Sequence, residues 1–107
     1  MAIEFGEDHT WIEKIGNRIR IGISSFAAKE LGEVVYVELP RVGSFLKKGE
    51  EAIILESTKA ATDICSPISG RIVAVNEAIL ITPSLITSDP EGKGFLIEVD
   101  PEPAIVL

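Results

Sequence analysis

One lysine in this chain stands where an enzyme could acylate it. Lys59 lies within Glu56-Ser57-Thr58-Lys59-Ala60-Ala61-Thr62-Asp63, among small residues, with an acid at each end of the octet. To its left runs Glu51-Ala52-Ile53-Ile54-Leu55, and to its right Ile64-Cys65-Ser66-Pro67-Ile68-Ser69-Gly70-Arg71-Ile72-Val73-Ala74-Val75. Both flanks are rich in Ile and Val and punctuated by Pro and Gly, a pattern that predicts strands. A lysine at the tip of the connection between strands projects its ammonium into water. The small side chains of Thr58, Ala60 and Ala61 leave room for a second protein to grip that tip. Such an arrangement suits the modification of one lysine out of several. Taken alone, a lysine on a turn is ordinarily just a solvated charge, and Glu56 and Asp63 a solubilising rim.

A second cluster of polar and aromatic residues is Asp8-His9-Thr10-Trp11. His9 has no metal partner and no nucleophile near it in sequence, so it reads as structural or cleft-lining rather than as a base. Trp11 reads as core. The chain has one His and one Cys, which leaves a hydrolase or metalloenzyme little to work with. No phosphate-binding glycine loop, dinucleotide fingerprint or spaced Cys/His metal set is present. Cys65 cannot form an internal disulfide, and its apolar strand context reads as core or half-buried.

The elements that must position these residues are short. Thr10 to Ile15 and Arg18 to Ile23 alternate around Gly16-Asn17 and predict a hairpin. Ser24 or Ser25 caps a short helix over Phe26 to Leu31, ended by Gly32. A strand follows from Glu33 to Leu39, stopped by Pro40, then loop from Arg41 to Glu51. Beyond the two strands flanking Lys59, Gly70 to Val75 reads as a third. Ala78 to Leu85 contains Pro83, which predicts turns or one short helical turn. A turn cluster at Asp89 to Gly94 precedes a last strand, Phe95 to Val99. Many short strands with one or two short helices give a mainly β fold, a small sandwich or partly open barrel, with the strand order left open.

At 107 residues, 46% of them hydrophobic, the chain is expected to form a single domain, residues 1–107. No apolar run reaches membrane-spanning length, and the acidic start Met1 to Asp8 lacks the features of a secretory signal, so a soluble, cytoplasmic protein is expected. A net charge of −7, from 17 acids and 10 bases, argues against binding nucleic acid.

The octet around Lys59 closely resembles the Glu-Ser-Val-Lys-Ala-(Ala/Thr)-Ser-Asp signature of the glycine cleavage system H protein family. Val34-Val35-Tyr36-Val37-Glu38-Leu39-Pro40 with Val42-Gly43 is similar to the family's Val-Phe-Val-Glu-Leu-Pro-x-x-Gly. Gly22-Ile23-Ser24 to Leu31-Gly32, Ser66-Pro67-Ile68-Ser69-Gly70, Val75-Asn76-Glu77-Ala78 and His9-Thr10-Trp11 also resemble family segments, in family order. The resemblance implies the barrel-sandwich hybrid of lipoyl and biotinyl domains, two small sheets with the modified lysine on a hairpin tip. It implies lipoic acid in amide linkage on Lys59. Biotin would call for the Met-Lys-Met context that is absent here.

By the same resemblance, Glu56 serves recognition by the lipoate-attaching enzyme, a ligase or lipoyl transferase, and Asp63 lies where the loaded arm rests. Asp8, His9 and Thr10 belong to the segment that shelters the arm. Here the chain departs from the family, which usually has Glu at the position of Thr10. A hydroxyl cannot supply the charge that pairs with an ammonium, and Asp8 or Glu7 is the replacement that sequence suggests. A second departure is Asp100-Pro101-Glu102-Pro103 onward, whose two prolines preclude the family's usual C-terminal helix there.

The function implied is that of a carrier with no reaction of its own. It would take an aminomethyl group from the pyridoxal-phosphate glycine decarboxylase to a tetrahydrofolate-dependent aminomethyltransferase, with reoxidation by a flavin-containing dihydrolipoyl dehydrogenase. An alternative is an H-like lipoate-binding protein carrying sulfur intermediates in a heterodisulfide-reductase-like pathway, which would not need the amine-binding carboxylate. A third is an interaction domain that has lost its carrier role.

Overall fold

The computed structural model describes residues 3–6 and 9–102. The first hairpin forms where alternation placed it, from β2 (Thr10–Ile15) and β3 (Arg18–Ile23), with Ile15 opposite Arg18 across Gly16-Asn17. Ser24 is the residue that caps α1 (Ser25–Leu31), its Oγ accepting the Ala27 N–H at 3.1 Å. Gly32 ends this helix at φ 84°, a conformation that a side chain would strain, and its N–H donates to the Ala28 carbonyl.

β4 (Val34–Glu38), β6 (Glu51–Ser57) and β7 (Ala61–Cys65) form a three-stranded sheet in the order β4-β6-β7. The other sheet has the order β1-β2-β3-β9-β8-β5, with β1 at Ile3–Phe5, β5 at Phe45–Leu46, β8 at Gly70–Val75 and β9 at Ile97–Pro101. All pairings are antiparallel. Two sheets with the lysine-bearing connection on a hairpin match the mainly β sandwich expected. Strands β1 and β5 had no clear sequence signal, and the last strand is displaced from Phe95–Val99 to Ile97–Pro101.

Helix content exceeds the expected one or two short helices. Around Pro83 the chain makes two turns, α2 (Ala78–Ile81) and α3 (Ser84–Ser88). Proline cannot continue α2, because it has no N–H and restricts the residue before it, but it suits the entry to a new helix. Ile79 and Ile86 each turn a side chain fully inward from these helices. They join Ile21, Leu55, Ile72 and Ile97 in one core between the sheets.

Two buried polar arrangements fix the register of the larger sheet. Trp11 is 1% exposed, and its indole Nε1–H donates to the Pro90 carbonyl at 3.0 Å. Gly22 lies opposite Trp11, and a Cβ there would fall 2.5 Å from indole atoms Cε2 and Cζ2, so the ring occupies space that only glycine leaves.

Glu98 accepts hydrogen bonds from Arg18 at 3.1 Å and from Arg20 at 3.0 and 2.8 Å, while Arg20 also stacks 4.1 Å over the Phe95 ring. Burial alone would push the Glu98 carboxyl up. The hydrogen bonds and charges of Arg20 and Arg18 outweigh it and hold the group below the ordinary glutamate value. A lowered folded value means that the contribution to stability is complete above the unfolded pKa and disappears as pH falls through the folded one. Arg18 and Arg20 side chains are 52% and 30% exposed, so the contribution is modest. Glu98→Gln is expected to cost about 1–2 kcal/mol near neutral pH, with the gap closing under acid conditions. Urea unfolding of both proteins across pH checks this, and a gap independent of pH would contradict it.

Candidate functional site

Lys59 occupies the tip of the β6–β7 hairpin and is exposed. Ser57 builds the turn. Its N–H donates to the Ala60 carbonyl at 2.8 Å, its Oγ accepts the Lys59 and Ala60 N–H groups at 3.1 Å each, and its hydroxyl donates to Ala60 O. The Thr58 N–H donates to the Glu33 carbonyl at 3.0 Å, tying the tip to the chain that leaves α1. A turn held this way gives the lysine a fixed base and a free end.

Gly32 forms part of that base. A Cβ at Gly32 would lie 3.3 Å from Lys59 Cε, 3.4 Å from Cδ and 3.6 Å from Cγ, so the lysine stem runs over the bare glycine backbone at the end of α1. Beside it opens a cleft of about 480 Å³ between α1 and β7. Phe26, Ala27, Glu30 and Leu31 line it from the helix, Ala60 to Ile64 from the hairpin, and His9 and Ile23 from the larger sheet. The helix residues pair at i,i+4 spacing, Phe26 with Glu30 and Ala27 with Leu31, and so share one face.

His9 stands at φ 65°, uncommon for a residue with a side chain. Its N–H meets Gly6 O at 3.4 Å, and its carbonyl accepts the Ser24 N–H at 2.8 Å. Its ring lies 4.9 Å from that of Phe26, and both residues also border a neighbouring depression of about 400 Å³ with Phe5, Gly6, Ser24 and Glu91. His9 is therefore placed on the cleft wall. Thr10 is not: the first residue of β2, it is buried at 1% exposed and lies outside the residues that line the cleft. Asp8, like Glu7, lies outside the described residues.

Glu56 and Asp63 are both exposed, on β6 and β7. Glu56 pairs with Ala61 and Asp63 with Ile54, which puts the two acids on the same outer face of the small sheet. Asp63 also borders the cleft. On that outer face the Tyr36 hydroxyl donates to Glu38 at 3.2 Å. This bond, the Glu38 charge, slight desolvation and the Glu56 charge together raise the phenol pKa above its ordinary value.

Glu30, Phe26 and Gly32 were not recognised from sequence as site residues. Their helical spacing defined a face, but what that face meets depends on how the distant β7 hairpin folds back. Among the described residues no group of acids, His and Cys could hold a metal ion. The residues do fit a lipoyl group, with an exposed primary amine among small neighbours and an adjacent cleft walled by Ile23, Phe26, Leu31 and Ile64.

Comparison with known proteins gives one answer. The sequence profile described as glycine cleavage H-protein matches residues 3–105. The glycine cleavage system H protein of Carboxydothermus hydrogenoformans is 43% identical over 92% of this chain and 75% of its own length. That of Magnetococcus marinus is 44% identical over 92% of this chain and 70% of its own length. The crystal structure of a glycine cleavage system H protein from Mycobacterium marinum superposes with a TM-score of 0.86 at 39% identity, covering 92% of this chain and 83% of that one. By sequence over most of its length and by fold, this chain belongs to the glycine cleavage H-protein family.

Proposed function

We propose that this chain is the lipoyl carrier of glycine cleavage and that lipoic acid is attached in amide linkage to Lys59. The observation that carries the proposal is the presentation of Lys59, exposed on a turn held by Ser57 and lying next to a cleft. When bound, the lipoyl group supplies a disulfide able to accept an aminomethyl group with reduction and to be restored by oxidation. The protein contributes presentation, shelter and docking. Hairpin hydrogen bonds hold the lysine backbone, Gly32 gives the stem a path, and the cleft offers apolar wall on one side to whatever enters. Membership of the family supports a carrier role in glycine cleavage. No observation favours the sulfur-carrying alternative.

On this reading the partners are the pyridoxal-phosphate glycine decarboxylase, the aminomethyltransferase, the dihydrolipoyl dehydrogenase and the enzyme that attaches lipoate, and the chain acts as one lipoyl-type domain in the cytoplasm. Among the described residues no helix is long and apolar enough to cross a membrane. The test is reconstitution. A lipoate ligase with lipoate and ATP should add one lipoyl group, mapped to Lys59, and the product should then support glycine-dependent NAD reduction with the partner enzymes. Attachment at Lys47, Lys48 or Lys93 instead would refute the assignment.

Glu56 is expected to act in attachment rather than in folding. Glu56→Gln keeps the size and removes the charge from an exposed strand end, so it should slow lipoate attachment while changing stability by no more than about 0.5 kcal/mol. Parallel time courses with wild type decide this, and equal rates would assign Glu56 to the solvated rim.

A further inference from the structure

We infer that Thr87 is a positioning residue for the lysine arm, taking the proposed attachment at Lys59 as its premise. Strand β4 lies at the edge of the small sheet, so N–H groups on its outer side have no strand to pair with. Val34 opens this strand and is 2% exposed, where an unpaired N–H would be costly. Thr87 of α3, 53 positions along the chain, supplies the partner: its Oγ1 accepts the Val34 N–H at 3.0 Å. The same hydroxyl donates over a longer 3.5 Å to the Gly32 carbonyl. One side chain thus bridges the residues before and after Glu33. The Glu33 carbonyl in turn accepts the Thr58 N–H at 3.0 Å, the bond that ties the hairpin tip to the chain leaving α1. The lysine stem meets the same segment again where it passes over Gly32.

Gly32 gives the clamp its purpose. A glycine has the widest choice of backbone conformations, so its own preference does not hold it at φ 84°. If residues 32–34 were free to swing, both supports of the tip would move with them, the Glu33 carbonyl and the bare surface under the lysine stem. Thr87 removes that freedom from a helix whose preceding residue, Ile86, is 0% exposed in the core. The direction in which Lys59 leaves the surface is therefore set from α3, an element that contributes no residue to the cleft lining. An enzyme that must meet the ammonium in one orientation binds a loosened tip only in the fraction of molecules that hold it. Its apparent affinity falls by that fraction, while the step that follows binding keeps its rate.

The test uses the full chain with a lipoate ligase, lipoate and ATP. Thr87→Val keeps the shape and loses the hydroxyl, and should raise the ligase KM for the carrier about fivefold with kcat unchanged, the factor that one ordinary hydrogen bond sets on an equilibrium. Thr87→Ser restores the hydroxyl and should return KM to the wild-type value. Ile86→Val weakens the same helix without touching the hydroxyl, so stability should fall while KM stays at the wild-type value. An unchanged KM in Thr87→Val, or an equal rise in Ile86→Val, would overturn the inference. Amide hydrogen exchange tests it on the wild type, whether or not a variant folds. One opening exposes the Val34 and Thr58 N–H groups, so their protection factors should agree within about threefold. Thr58 exchanging far faster than Val34 would overturn the inference as well. Failure of the ligase to modify wild type at Lys59, with matched protection at Val34 and Thr58, would count against the proposed function and leave the clamp standing.

Discussion

Lys59→Arg should fold as the wild type does and transfer nothing. The position is exposed on a turn whose hydrogen bonds involve the backbone of residue 59 and the Ser57 side chain, not the lysine side chain. Arginine keeps the charge and much of the aliphatic stem, so stability should change by no more than about 0.5 kcal/mol. The guanidinium, however, cannot form the amide. Lipoate incorporation should fall to the background of unmodified protein, and glycine-dependent NAD reduction to the rate without carrier. Circular dichroism and thermal melts establish folding, and intact-mass analysis establishes incorporation. A variant that still accepts one lipoyl group would mean that another lysine is the attachment point, since no other group in the hairpin offers a comparable amine.

The second large effect is on stability. Trp11→Ala removes a fully buried indole and its hydrogen bond to Pro90, a loss of about 3–5 kcal/mol for a change of this size. Small domains are stable by roughly 5–15 kcal/mol in total, so much of the margin goes. The melting temperature should drop by on the order of 12 °C or more, at roughly 4 °C per kcal/mol for a domain of this length. Gly22 provides an internal check. Gly22→Ala should cost about 1–3 kcal/mol against the intact indole, which cannot yield while Pro90 holds it. In a Trp11→Phe background, which lacks the atoms nearest that methyl, the cost should be smaller. Strictly additive penalties in this double-mutant cycle would contradict the contact as described. The site is involved too, because Trp11 anchors the strand that begins directly after His9 on the cleft wall.

Local signals in the sequence were read well where one residue decides the outcome. Ser24 and Gly32 bracket α1, Gly16-Asn17 turns the first hairpin, and the small residues around Lys59 make a tip. Elements whose existence depends on distant partners were harder. Strand β5 is two residues long and is defined only by Arg71 and Gly70 across from it, while β9 runs between β3 and β8, which are far from it in sequence. The site followed the same division. The exposed place of Lys59 at a hairpin tip could be read from its own neighbourhood, and His9 could be assigned to a wall. Alternation alone did not determine which side of β2 holds Thr10, and the structure puts it inside. The helix residues that border the cleft could not be singled out, because nothing around them in sequence distinguishes them from any solvated helix face. Their place on the cleft comes from β7 lying across from them.

That neighbouring cleft has a consequence for the timing of the carrier. A group on a short flexible tether meets its own surface at an effective concentration on the order of millimolar. Contacts amounting to about 4 kcal/mol are then enough to keep the cleft half occupied. Tighter shelter would work against delivery, since each further ~1.4 kcal/mol makes the extended arm tenfold rarer. A partly open cleft that held the arm within this range would let it divide its time between storage and search, and a docking enzyme would need only a small differential affinity for the extended form to draw it out.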